Sequence, residues 1–65
     1  MASGLYDAGS KDSLVKVFNS IRLEHGFVKV KLILIHKGTG SIFHGEKPRY
    51  YTIKTETFNK WELIS

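Results

Sequence analysis

The apolar positions of this chain fall into blocks with different periods. Leu14, Val17, Phe18 and Ile21 recur at i, i+3, i+4 and i+7, which is the one-sided stripe of an amphipathic helix. The spacing predicts a helix over 12–25. Asp12 or Ser13 can cap its start by accepting a backbone N–H, and Gly26 stands where a left-handed residue ends a helix, with His25 in the last turn. A strand is the competing reading, because Val15 and Val17 are β-branched. The cap and the glycine favour the helix.

Residues 27–36, FVKVKLILIH, switch to a period of two and predict a strand. Val28, Val30, Leu32 and Leu34 form one apolar face, expected to receive the helix stripe. Phe27, Lys29, Lys31, Ile33 and Ile35 form the other, polar at its start and apolar at its end. Such a pattern predicts a central strand with one face buried and the other covered only at its far end. The segment 37–40, KGTG, reads as a turn, 41–44 as a short strand, 45–48 as a second turn, and 49–55, RYYTIKT, as a third strand. Thr55 or Thr57 can cap a short final helix carrying Phe58, Trp61 and Leu63, with a fourth strand over 57–64 as the alternative. Residues 1–10 are small and polar, hold two glycines, and read as a flexible arm in which Tyr6 alone is expected to dock. The expected architecture is therefore a single small domain over 11–65, an α+β two-layer sandwich of order α-β-β-β-(short α) with a three-stranded antiparallel meander.

Length sharpens this picture. A chain of 65 residues leaves a large share of its surface exposed even when folded, so its core is marginal. Small domains are commonly held by disulfides, a metal or a second subunit, and this one has no cysteine. Ile33, Ile35, Ile42, Tyr51 and Ile53 are a surplus of apolar side chains that either the last helix or a homodimer partner would cover. No apolar run reaches the length of a membrane span, and Met1 to Ser10 lack the basic start and apolar centre of a signal peptide. A cytoplasmic protein is the expectation, with no membrane association.

Charge adds the functional lead. The formal net charge is +4, and it is not evenly spread. Residues 1–26 balance, whereas 27–55 hold Lys29, Lys31, Lys37, Lys47, Arg49 and Lys54 against the single acid Glu46. Six of the eight aromatic residues, including Tyr50 and Tyr51, lie past residue 26. Lys29 and Lys31 share the odd face of the first strand, and Lys54 shares a face of the third strand with Tyr50 and Thr52. Cations neutralise phosphates and release counterions, and rings stack on unpaired bases. The sequence therefore predicts a small, non-catalytic nucleic-acid-binding module for RNA or DNA. Its contacts are expected at Lys29, Lys31, Lys37, Lys47, Arg49, Tyr50 and Lys54. The plainer reading makes the same lysines a solvated guard against edge-to-edge aggregation. A protein-interaction module or small inhibitor that binds an acidic partner through its sheet face or edge is the alternative function.

Other chemistry is weaker. Lys37-Gly38-Thr39-Gly40-Ser41 resembles a phosphate-binding loop in composition only, since it does not open a helix. His36 and His44 would face each other across a hairpin in one register, as a general base for a ribonuclease or two metal ligands. A turn at Gly38-Thr39 instead pairs His36 with Ser41. Metal sites want three or four ligands, and acids are scarce nearby, so no metal or cofactor is expected.

The helix, three strands, helix order resembles that of the double-stranded-RNA-binding domain and of small toxin nucleases with the same layout. The toxins' Gly-Ser-His signature is absent, because Gly40-Ser41 is followed by Ile42. The lysine-rich start of the RNA-binding domain's last helix is absent too, its place being taken by Thr57-Phe58-Asn59-Lys60. The resemblance is one of topology and assigns no functional residue.

Overall fold

The computed structural model describes residues 3–42 and 46–65. Its elements in chain order are β1 (Gly4–Asp7), β2 (Ser13–Arg22), β3 (Phe27–His36), β4 (Arg49–Lys54), α1 (Thr55–Asn59) and β5 (Glu62–Leu63). They form one five-stranded antiparallel sheet of spatial order β4-β3-β2-β1-β5. The chain meanders from β1 to β4, crosses one face of the sheet as α1, and returns to the far edge as β5. This is a small β-rich domain. The expected α+β sandwich beginning with a helix is overturned, and the likeness to the helix-first RNA-binding and nuclease layouts goes with it.

The main correction lies in 12–25. Ser13–Arg22 is a ten-residue strand paired along its length with β3. Val15 pairs with Leu34 and Val17 with Leu32, but Asn19 then pairs with Lys31, so Phe18 is the extra residue of a β-bulge. The bulge explains why the segment imitates a helix. Val15 and Val17 point to the buried face, while Leu14 and Phe18 belong to the opposite face. Beyond the bulge the phase slips by one, and Ile21, opposite Lys29, falls on the same side as Phe18. Two-sided use of apolar residues plus one phase slip reproduces the i, i+3, i+4, i+7 pattern without any helix.

Gly26 does hold a left-handed conformation (φ 79°), but in the loop joining β2 to β3 rather than at a helix end. His25 beside it is also left-handed (φ 62°), and the loop is closed by the Leu23 N–H donating to the Phe27 carbonyl at 2.9 Å. At the other end of β3, the His36 N–H donates to the Ser41 carbonyl at 2.7 Å and the Gly40 N–H to the His36 carbonyl at 2.8 Å. His36 is therefore opposite Ser41, the pairing expected of a turn at Gly38-Thr39; His44 lies outside the described residues. Ile42 forms one bridge to Ile35, and the expected short strand over 41–44 otherwise also lies partly outside them.

The core forms on one face of the sheet. Tyr6, Val15, Val17, Val28, Val30, Leu32 and Phe58 are buried together, with Leu34, Ile53 and Trp61 packed around them. The even face of β3 is thus covered as expected, though by α1 and the chain after it. Phe58 meets Trp61 edge-on with ring centroids 5.1 Å apart, and Tyr6 lies 6.0 Å from Phe58. Five residues are too few for a helix to persist alone, so α1 depends on this packing. Its start is tied down by the Thr55 N–H donating to the Gly26 carbonyl at 2.8 Å; neither Thr55 nor Thr57 caps it, and Lys54 precedes it.

The terminal segments close the sheet. Residues read as an arm, 1–10, contain β1, whose Leu5 N–H donates to the Ser65 carbonyl at 2.8 Å and whose carbonyl accepts from Ile64 at 2.7 Å. Gly4 fits this contact closely, since a Cβ there would stand 2.9 Å from Leu63 Cδ1 and 3.0 Å from the Ser65 carbonyl oxygen. The surplus isoleucines divide. Ile53 joins the helix-side core, and Ile33 and Ile35 are buried on the opposite face beside Ile42, which together with Tyr51 stays exposed.

Candidate nucleic-acid interface

The face of the sheet turned away from α1 is covered at one end and open at the other. Its open part is built by strand alternation and register. Lys31 pairs with Tyr50, Lys29 with Thr52 and Phe27 with Lys54. On the inner side of β3, Asn19 pairs with Lys31 and Ile21 with Lys29. Residues directly opposite in an antiparallel pair share a face. Lys29, Lys31, Lys54, Tyr50 and Thr52 therefore lie together, because the β3–β4 register sets them on one face, which alternation within each strand leaves open.

The lysines converge on one ring. Lys29 Nζ is 5.1 Å and Lys31 Nζ 5.9 Å from the centroid of Tyr50, the range of a cation–π contact. A second pair stands on β2, where Lys16 Nζ is 5.5 Å from the Phe18 ring. Phe18 (40% exposed), Ile21 (51%), Phe27 (37%) and Tyr50 (43%) leave apolar surface open among these cations. That combination is unusual for a surface that only needs to stay soluble, because exposed rings add nothing to solubility.

The acids of this face are at its other edge. Asp7 pairs with Glu62, and their position in β1 and β5 places them on the same side as Leu5 and Lys16. Across the face the charge thus runs from basic at β4 and β3 to acidic at β1 and β5. No carboxylate belongs to the patch between Ile21 and Lys54 among the described residues.

The remaining expected contacts do not join this patch. Arg49 pairs with Leu32 and so points to the helix side of the sheet. Lys37 lies at the far end of β3, where its Nζ is 3.7 Å from an Asp7 carboxylate oxygen. Lys47 is exposed in the connection ahead of β4. Conversely, Lys16, Phe18 and Ile21 belong to the patch and were not expected in it, and Phe27 stands on the face where alternation put it with Lys29 and Lys31. Lys16 and Phe18 were hidden by the helix reading. The alternation Val15-Lys16-Val17, read as a strand, would have placed Lys16 on the outer face with Leu14.

Other sites are not assembled. No group of three or more His, Cys, Asp or Glu side chains capable of holding a metal occurs among the described residues. Also among them, no helix is long and apolar enough to cross a membrane. Comparison with protein families, with curated proteins and with solved structures finds no match to this chain.

Proposed function

We propose that this protein is a small, non-catalytic nucleic-acid-binding module that uses the open face of its sheet. The observation that carries the reading is the convergence of Lys29 and Lys31 on Tyr50, with Lys54 on the same face and no acid between them among the described residues. A polyanion gains from such a patch because each neutralised phosphate releases condensed counterions. Rim charges such as Lys37 and Lys47 steer approach at longer range.

The test is a fluorescence-anisotropy titration of labelled oligonucleotides against the full chain, at low salt and then at increasing salt. Binding that weakens steadily with salt is expected. Absence of binding at low salt, or an affinity indifferent to salt, removes the proposal.

One observation favours a second reading, an acidic protein partner. Among the described residues β4 is an edge strand with one side of its backbone unpaired by any other strand of the sheet, and Tyr51 on it is exposed. A segment added beside β4 would gain backbone hydrogen bonds and lie close to Lys54 and Arg49. Retention of a protein partner after nuclease treatment, with no oligonucleotide binding, would make this the leading function.

A further inference from the structure

We infer that the preferred ligand is single-stranded nucleic acid, crossing the open face from Tyr50 on β4 over β3 to Phe18 on β2. The inference rests on the nucleic-acid reading above and narrows it. The two ring positions are separated by two strand spacings, roughly 10 Å, which suits two unpaired bases of one strand with a nucleotide between them better than the flank of a duplex.

Three features separate single strand from duplex. The first is the exposure of Phe18 and Tyr50 beside their lysines. Bases in a duplex are already stacked on one another and offer these rings nothing, whereas an unpaired base presents a π-face to each. The second is shape. Reading a duplex groove calls for an inserted helix or β-ribbon, and α1 is only five residues long and lies on the other face. The loop at the tip of the β2–β3 ribbon carries Glu24, which a phosphate backbone repels. The third is the bulge in β2, which turns both Phe18 and Asn19 to the open face. Asn19, opposite Lys31, thereby supplies an amide able to donate to and accept from a base edge between the two rings.

The charge gradient sets the limits of the path. Lys54, Lys29, Lys31 and Lys16 follow it from β4 to β2, and Asp7 and Glu62 stop it at β1 and β5. A tract of about four nucleotides fills it, the lower end of what a small β-domain holds. A second copy of this chain is a poor occupant of the same face, because it would set lysines against lysines.

The experiment compares the full chain on oligothymidylate and on a hairpin duplex of equal phosphate count, for the wild type, Phe18→Ala, Tyr50→Ala, Tyr50→Phe and the pair Lys29→Gln/Lys31→Gln. Thermal melts confirm that each variant folds. The expected result is a single-strand preference of about tenfold or more, with each ring-to-alanine change costing about fivefold or more on single strand alone and Tyr50→Phe retaining most affinity. Equal or tighter duplex binding, or ring changes without effect where the lysine pair weakens binding, overturns the single-strand inference and leaves the nucleic-acid function standing. Binding to neither probe overturns both.

Discussion

Neutralising the lysines of the open face gives a slope that can be stated beforehand. Four lysines occupy that face along the proposed path: Lys16, Lys29, Lys31 and Lys54. If each meets one phosphate of a single strand, the logarithm of the binding constant falls with the logarithm of salt at a slope of about −2.8. Affinity then drops roughly 50-fold between 50 and 200 mM salt. The Lys29→Gln/Lys31→Gln double variant keeps two contacts, so its slope halves to about −1.4 and the same salt step costs only about sevenfold. Glutamine keeps an unbranched polar side chain, one atom shorter, and Lys29 is exposed and Lys31 half-buried, so the sheet is little disturbed. Lys37→Gln, whose partner is Asp7 at the other edge, is the matched control and leaves the slope near the wild-type value. Anisotropy titrations at five or more salt concentrations read these slopes directly. A double variant with the wild-type slope, or a Lys37 variant that moves it as much, would refute the placement of the binding charge on this face.

The other predictions concern the fold. Phe58→Ala removes the buried ring that joins α1 to Tyr6 and Trp61 and should cost about 3–5 kcal/mol, a large part of what a chain this short possesses, so chemical denaturation should find it barely folded. Ser20 Oγ is buried with no hydrogen-bond partner among the described residues, and Ser20→Ala should leave stability unchanged or raise it by up to about 1 kcal/mol; a loss beyond that would reveal a partner for the hydroxyl. Gly26→Ala meets no atom but forces alanine into a left-handed conformation, and should lower stability by about 1 kcal/mol in the same assay. Gly4→Val forces the C-terminal segment off β1, and a melting temperature equal to wild type would contradict the pairing of Leu5 with Ser65.

How far the sequence could be read depended on whether each segment obeyed one rule or two. β3 obeyed one. Its side chains alternate faces without a slip from Phe27 to His36, because a central strand keeps its pleat along its whole length, and the alternating start followed by an apolar run marks its bounds. β4 was legible for the same reason, and with it the shared face of Tyr50, Thr52 and Lys54. β2 obeyed two rules joined by a bulge at Phe18, and the composite period matched a helix. The misreading concealed half of the candidate site, since Lys16 and Phe18 can share a face with Lys29 only if β2 is a strand. β1 was missed because four residues are too short for a period to show, and its pairing with β2 and with the C-terminal segment is a matter of long-range contact.

The amino-acid sequence by itself determined that this is a small, basic, cysteine-free domain, that 27–36 and 49–54 are strands, and that Lys29 and Lys31 stand on the less apolar side of the first of them. These follow from local rules: side-chain alternation, charge count and residue chemistry. Only the tertiary structure decided that 13–22 is a strand, that 4–7 pairs as a strand beside it, and that two lysines of β3 converge on a tyrosine of β4. A single residue's slip in register would move every side chain of a strand to the other face. Register is set by the pairing of strands distant in sequence and by the bulge between them, and no local period encodes it.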